Sequence, residues 1–233
     1  DFFGRTGKTP DQVSTQDVFA WAYGVGASGK SPSSITIGAR LAAVSSFYRF
    51  LIRMQIVTFN PCDAIERPRM PESRPRGIGG DGVKKLLSVV PFTPIGLRDR
   101  ALILTLTFTA RRRTEVFSLT AGDLTTENGR TYYAYRGKGG KTGRRELPIP
   151  ALNAIQVWLA CIDKDLQAMR PDQSLWPNPH TGKAITSGTF YNRLQGYLKA
   201  AGLPRGGVHL FRHSAAKVRR DAGDSIEEVS RFR

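Results

Sequence analysis

The sequence predicts a mainly α-helical protein with a small β-sheet, arranged as a helical N-terminal domain followed by an α+β domain. Three observations lead to this prediction. Long stretches repeat apolar residues at helical spacing. One later segment alternates aromatic and polar residues on either side of a glycine-rich turn. A proline-rich segment separates the first helical region from the rest of the chain.

Two helices are predicted in the N-terminal domain, which we place over residues 1–65. The first lies in TPDQVSTQDVFAWAYGV, where polar residues precede Val18, Phe19, Ala22 and Tyr23 at helical spacing. The second lies in SPSSITIGARLAAVSSFYRFLIRMQ, which opens on Ser and Pro, residues that favour a helix start. This second stretch has a single apolar stripe, which consists of Ile37, Leu41, Val44, Phe47, Tyr48 and Leu51.

Residues 66–80 are predicted to form a linker, and residues 81–233 a second domain. The segment NPCDAIERPRMPESRPRGIGG contains four prolines, which remove backbone donors and restrict the residues before them. Neither a helix nor a central strand is compatible with that composition. Its arginines could follow a phosphate backbone or simply keep the linker solvated.

The second domain is predicted to be helical with one β interruption. A core helix is expected in IGLRDRALILTLTFTA, and a β-hairpin or small sheet in RTYYAYRGKGGKTGRRELPIP, which turns at residues 137–143. A further apolar helix passes through Ile155, Trp158 and Leu159. After a loop in WPNPHTGKAI, another helix is expected near Tyr191 to Ala200.

The charge of the chain favours a polyanionic partner. Lys and Arg number 35 against 19 acids, for a formal net charge of +16, and between Arg130 and Arg145 there are six basic residues and no acid. A surplus of basic residues also occurs in many soluble proteins, but clusters of this kind favour nucleic acid. The sequence has no run of about 18 apolar residues and no signal-peptide pattern at its start, so we predict a cytoplasmic protein without a membrane partner.

Three short motifs contain candidate catalytic residues. TARRRTE places Arg112 and Glu115 at i, i+3, GKGGK contains Lys138 in the predicted turn, and HLFR places His209 three residues before Arg212. The glycine-rich turn lacks the GxxxxGK[ST] pattern of a nucleotide-binding loop. A metal site on His209 and His213 is not expected, because the HExxH general base is missing.

In this order, the motifs resemble those of the tyrosine recombinase (integrase) family, of the phage-integrase and Xer type. TARRRTE is similar to the family's TGxRxxE, GKGGK to its GKGxK hairpin, and HLFR to its HxxR. The segment from SPSSITIGAR to TFNP resembles the family's helical core-binding domain. The resemblance therefore implies a core-binding domain followed by an α+β catalytic domain. In this chain Ala110 and Arg111 replace the glycine and the apolar residue usual in TGxRxxE.

The resemblance also implies a reaction. In this family a tyrosine attacks a DNA phosphodiester and forms a 3′-phosphotyrosyl link with release of a 5′-hydroxyl. Arg112 and Arg212 would clamp the non-bridging oxygens, on which negative charge increases, with paired guanidinium donors. The phosphotyrosine conserves the bond energy, so the resemblance implies that neither a metal nor any other cofactor is needed.

The remaining roles are assigned by the same resemblance. Lys138 would protonate the departing 5′ oxygen, and His209 would assist proton movement at the phosphate. Glu115 would support the arginine-bearing turn, and His213 would pack beside the active helix. Residues expected to contact DNA are Lys30, Arg40, Lys141 and Lys183.

The expected partner is double-stranded DNA, with self-association to a tetramer on two DNA sites when the C-terminal segment is present. The seven tyrosines all precede HLFR, whereas the family's nucleophile follows HxxR, so the chain as written is expected to bind DNA without cleaving it. Two alternatives stay open at this point. One is a non-catalytic DNA-binding protein of the same fold, and the other is a type IB topoisomerase-like enzyme.

Overall fold

The computed structural model describes residues 2–26, 29–69, 77–136, 140, 142–221, 223–225, 227 and 228. The chain divides into two compact units, Asp1–Arg74 and Pro75–Arg233. This division falls inside the linker that was predicted over residues 66–80. The described residues are mainly helical with one small antiparallel sheet, which confirms the predicted fold class.

The first unit contains three α-helices in its described part: α1 (Phe3–Thr6), α2 (Thr15–Tyr23) and α3 (Ser34–Arg53). Ser14 and Ser33 cap α2 and α3 by accepting hydrogen bonds from backbone N–H groups of the first turn. Five of the six stripe residues predicted for α3 are buried, whereas Phe47 is partly exposed. Helix α3 is long and apolar enough to span a membrane by length and composition, but its buried stripe packs in the core of this unit.

The second unit is built around α5 (Pro94–Thr109), which packs against α7 (Ile149–Ala160) and α9 (His209–Asp221). The other described α-helices of this unit are α4 (Gly79–Val89), α6 (Arg113–Phe117) and α8 (Ser187–Ala200), and a short 3-10 helix spans Ala121–Asp123. The core includes the indole rings of Trp158 and Trp176, both fully buried. Trp176 Nε1 donates to the Val116 carbonyl oxygen at 2.6 Å, which fixes α6 to the core.

The sheet has three antiparallel strands in the order β1 (Leu124–Glu127), β2 (Arg130–Arg136) and β3 (Thr142–Glu146). The pairing of β2 with β3 confirms the predicted hairpin, with Tyr135 opposite Gly143. Strand β1 was not predicted, although Asn128 and Gly129 form a tight turn with φ of 51° and 73°. An Asn-Gly pair is a strong sequence signal for such a turn.

Helix α5 has an ionic pair inside the protein, although its sequence is mostly apolar. Arg98 and Asp99 are both buried, and Asp99 accepts a bidentate ion pair from Arg193 of α8 at 2.6 and 3.0 Å. The Tyr197 hydroxyl donates to the same carboxylate at 3.0 Å. The network fixes α8 against α5, and removing Asp99 would leave Arg98 and Arg193 without their shared buried carboxylate.

Candidate active site

The site begins at the turn between α5 and α6. Ala110 ends α5 in the left-handed region, with φ 49° and ψ 22°, and its N–H donates to the Leu106 carbonyl oxygen. Glycine is the residue that usually occupies such a helix end, because a Cβ is disfavoured there. The alanine in place of the family's glycine therefore adopts the glycine conformation.

Arg112 and Glu115 are joined by two hydrogen bonds across the start of α6. The Arg112 N–H donates to Glu115 Oε2 at 3.1 Å, and Arg112 Nη1 donates to Oε1 at 3.0 Å. The Glu115 side chain is 3% exposed, whereas that of Arg112 is 45% exposed. A buried carboxylate thus holds one edge of a guanidinium group whose remaining surface faces solvent.

Arg111 points in the opposite direction, into the protein. Its Nε donates to the Tyr133 hydroxyl at 3.1 Å, and its guanidinium carbon lies 3.7 Å from the centre of the Tyr135 ring. Its Nη1 is 4.0 Å from Glu115 Oε2. Burial raises the pKa of Tyr133, so its hydroxyl stays protonated at neutral pH. The turn is therefore attached to strand β2 through a residue that sequence reasoning treated only as a departure from the family pattern.

Helix α9 brings the third motif to the same turn. His209 is its first residue and is exposed, and Arg212 lies one turn later. Arg212 Nη1 donates to the Ala110 carbonyl oxygen at 3.0 Å, across 102 residues of sequence. The structure thus places Arg212 beside the backbone that leads into Arg112.

His213 is exposed on α9, and the neighbouring Ser214 makes the buried contacts. Ser214 Oγ accepts from the Ile78 N–H at 3.0 Å and donates to the Leu210 carbonyl oxygen at 2.8 Å. A Cβ added to Gly77 would lie 2.8 Å from the His213 carbonyl group, so this close approach requires glycine. Sequence reasoning missed Ser214, because a lone serine in a helix gives no signal of its partners.

The other predicted site residues have different outcomes. Lys138 and Lys141 lie outside the described residues, and β2 ends at Arg136, two positions before Lys138. Lys30 and Lys183 are exposed, in a loop of the first unit and in a turn of the second. Arg40 donates from Nη1 to the carbonyl oxygens of Trp21, Ala22 and Gly24, so it also caps the end of α2. DNA contact by these four residues stays a prediction.

The tyrosines near the site are poor candidates for a nucleophile. Tyr133 is 2% exposed and accepts a hydrogen bond from Arg111, and Tyr197 donates to buried Asp99. Tyr48 and Tyr23 belong to the first unit, where each hydroxyl donates to a backbone carbonyl oxygen. Within the second unit, the Tyr133 and Tyr197 hydroxyls are both held by buried charged groups, Arg111 and Asp99.

The described part of the site offers cationic donors rather than metal ligands. Within the described ranges, no group of three or more His, Cys, Asp or Glu side chains is placed to hold a metal ion. Arg112 and Arg212 approach one turn from two helices, and each has a planar set of N–H donors. Such an arrangement suits an oxyanion with several oxygens, such as a phosphodiester.

Comparison with known proteins gives a family and a set of relatives. Residues 78–230 match the phage integrase family. The chain is 31% identical over 205 residues to tyrosine recombinase XerC of Herpetosiphon aurantiacus, covering 86% of this chain and 65% of that protein. It is 29% identical over 227 residues to tyrosine recombinase XerD of Listeria innocua, covering 97% of this chain and 75% of that protein. The chain thus spans about two thirds to three quarters of these relatives.

Solved structures share the fold at low identity. The XerH site-specific recombinase in a post-cleavage complex with palindromic difH substrate has a TM-score of 0.73 and 19% identity, over 98% of this chain and 67% of that one. A lambda integrase dimer bound to a COC′ core site has a TM-score of 0.69 and 16% identity, over 98% and 67%. These likenesses extend over both units of the chain.

Proposed function

The chain belongs to the phage integrase family, and on that premise we propose that it acts in site-specific DNA recombination. The reaction is the cleavage and rejoining of DNA strands through a 3′-phosphotyrosine intermediate. In each step one phosphodiester bond breaks as another forms, so no external energy source enters. None of the seven tyrosines in this sequence follows HLFR, so none of them is proposed as the attacking residue.

One observation supports this proposal most directly, the hydrogen bond from Arg212 to the Ala110 carbonyl oxygen. It brings two motifs that are far apart in sequence to a single turn. Two guanidinium groups near one turn can bind both non-bridging oxygens of a phosphodiester as negative charge increases on them. Losing one such donor group would raise the barrier by about 3–4 kcal/mol, the scale measured for a lost oxyanion donor.

The other residues have supporting roles in the proposed reaction. His209, at the exposed start of α9, would assist proton movement at the phosphate, and Lys138 would protonate the 5′ oxygen that leaves. Glu115 orients Arg112 through two hydrogen bonds. His213 is proposed to support the active helix, through the main chain that packs on Gly77.

The proposed partner is double-stranded DNA, and the proposed assembly is a tetramer on two DNA sites. The XerH and lambda integrase structures that share this fold are bound to DNA, and the net charge of +16 favours the same partner here. We also propose a cytoplasmic location, where DNA is accessible. The basic residues proposed to contact DNA are Lys30, Arg40, Lys141 and Lys183.

The experiment is a search for a covalent protein–DNA adduct. A preferred DNA site is first selected from a randomised library by binding to the full-length protein. Labelled duplexes of that site, nicked so that cleavage releases a short fragment, then trap the phosphotyrosine. We expect an adduct that resists denaturation with detergent and disappears on protease treatment.

Matched variants make the result specific. Arg112→Ala and Arg212→Ala should lower the rate of adduct formation at least 100-fold, the scale of one lost oxyanion donor. Arg113→Ala, which removes a neighbouring exposed arginine, should leave that rate within a few-fold. Tight binding without any adduct from the full-length protein would contradict the proposal and favour a non-catalytic DNA-binding protein.

A further inference from the structure

Arg111 is buried beside the candidate active site, and the roles assigned so far do not use it. Its side chain is 5% exposed, and Glu115, its acidic neighbour, is 3% exposed. In the related motif this position is apolar, so a guanidinium group here is a feature of this chain. A buried arginine at this position can form hydrogen bonds and ion pairs that an apolar side chain cannot.

The contacts of Arg111 connect two parts of the second unit. On one side, its Nη1 lies 4.0 Å from Glu115 Oε2, the oxygen that also accepts from the Arg112 N–H. On the other side, its Nε donates to the Tyr133 hydroxyl, and its plane lies over the Tyr135 ring. The arginine-bearing turn is thereby attached to β2, the strand that leads toward Lys138.

Gly143 makes room for this arrangement. It lies directly opposite Tyr135 in the β2–β3 pairing, and a Cβ added there would meet the Tyr135 hydroxyl at 2.5 Å. A glycine at this register position thus lets the Tyr135 ring occupy the place from which it stacks on Arg111. The β2–β3 pair therefore has the space that the stacking of Tyr135 on the Arg111 guanidinium group requires.

Stability alone does not account for Arg111. Burying a guanidinium group costs several kcal/mol of hydration, about the scale known for buried ions. Arg111 does not recover all of it, because Nη2 is buried without a hydrogen-bond partner within the described part of the chain. Exchanging a buried ionic group for a well-packed apolar one is often neutral or stabilising. A role in positioning explains the arginine better than a role in stability.

We propose that Arg111 is a positioning residue, which holds the Glu115 carboxylate in place for Arg112 and fixes the turn to strand β2. This inference rests on the proposed function, because it concerns the orientation of the proposed phosphate clamp. Loss of Arg111 then slows strand cleavage, while the affinity for DNA is kept. The residue acts through Glu115 and Arg112, and it does not itself touch DNA.

The test compares cleavage with binding in the full-length protein. The variant is Arg111→Leu combined with Tyr133→Phe, so that no buried hydroxyl is left without its donor. We expect the single-turnover rate of adduct formation at saturating DNA to fall at least tenfold, with the Kd for DNA within twofold. Arg113→Leu removes an exposed arginine two positions away and is the matched control for charge.

A second readout follows Arg112 directly in the chain itself. The Nε–Hε resonance of Arg112, assigned by its loss in Arg112→Lys, should shift in the double variant and not in Arg113→Leu. A wild-type cleavage rate in the double variant overturns the proposal, and so does an unmoved Arg112 resonance. If the unsubstituted protein forms no adduct, the proposed function fails, and the resonance alone then decides whether Arg111 positions Arg112. If the double variant does not fold, Arg111→Gln with Tyr133 kept, a milder change that removes the guanidinium group but retains a donor for the hydroxyl, gives the same comparison.

Discussion

Replacing Glu115 with glutamine tests how much the buried carboxylate contributes to the site. Both of its hydrogen-bond partners are donors, the Arg112 N–H at 3.1 Å and Arg112 Nη1 at 3.0 Å. A glutamine oxygen can accept only one of these bonds, and its NH₂ group must then face the other donor. Glu115→Gln has nearly the same shape as the native side chain, so the change removes charge and acceptor capacity with little effect on packing.

The expected loss of stability in Glu115→Gln follows from the burial of the carboxylate. Hydrogen bonds to a charged group contribute about 1.5–3 kcal/mol each, and a buried donor left without an acceptor costs about 1–3 kcal/mol. The Glu115 carboxylate is buried and its bond to the backbone N–H is partly buried, while the Arg112 side chain is half exposed and contributes less because water screens it. We therefore expect Glu115→Gln to lower the free energy of unfolding of the second unit by about 2–3 kcal/mol. With an m-value of about 2 kcal/mol/M in urea, the midpoint falls by about 1 M or somewhat more.

The assay is urea unfolding followed by tryptophan fluorescence. Trp176 is a local probe, because its indole donates to the carbonyl oxygen of Val116, the residue after Glu115. A Trp21→Phe background removes the tryptophan of the first unit. Glu127→Gln is the control, because Glu127 pairs with Arg144 at 2.7 Å on the surface, where both side chains are about half exposed. Equal midpoints for Glu115→Gln and the parent would refute the reasoning that burial makes this pair strong.

Four further predictions follow from the same structure. Asp99→Asn should lower the free energy of unfolding by about 3–5 kcal/mol in urea denaturation, because Arg98 and Arg193 lose their shared buried carboxylate. Ala110→Val should lower the free energy of unfolding by about 2–3 kcal/mol in the same assay, since a β-branched residue at φ 49° in a buried site is strained. Ala110→Gly should leave the free energy of unfolding nearly unchanged, because relief of backbone strain offsets the loss of the buried methyl group. The affinity for DNA, measured by fluorescence anisotropy, should fall with salt at a log–log slope of about −7 if about eight phosphates are neutralised, and a slope near zero would exclude a nucleic-acid partner. Burial raises the pKa of Tyr197 to about 12, above the usual 10. The contribution of its protonated hydroxyl to stability is therefore complete below pH 10 and is lost as pH rises through 12, and urea midpoints measured at increasing pH would show this loss.

Helix periodicity and the motifs together predicted much of the fold. The apolar stripe of α3 appears in the linear pattern because it repeats at the helical spacing, and the core position of α5 because its segment is mostly apolar. The hairpin of β2 and β3 was also predicted, since strands alternate around a glycine-rich turn. Strand β1 was missed even though Asn128 and Gly129 signal a turn, because its four residues are mostly exposed and show no alternation.

The pairings between distant residues could not be predicted. Asp99 meets Arg193 across 94 residues, and Arg212 meets the Ala110 carbonyl across 102. A single sequence records residue types and local spacing, but these contacts depend on how α8 and α9 pack on α5. The motif resemblance assigned Arg112 and Arg212 to one reaction, and the fold supplies the geometry by which they approach one turn.

Arg111 also bears on the charge that Arg112 can offer to a phosphate. In a related site with an apolar residue at this position, one arginine would face the glutamate alone. Here the Glu115 carboxylate lies near two guanidinium groups, with its Oε2 4.0 Å from Arg111 Nη1 and its Oε1 3.0 Å from Arg112 Nη1. A carboxylate shared in this way neutralises each partner less, so more of the positive charge on Arg112 stays available at the exposed face. The arginine in place of the usual apolar residue therefore leaves Arg112 more charge for the negative charge that increases in the transition state, and its loss slows cleavage while DNA binding, which many other basic residues share, is kept.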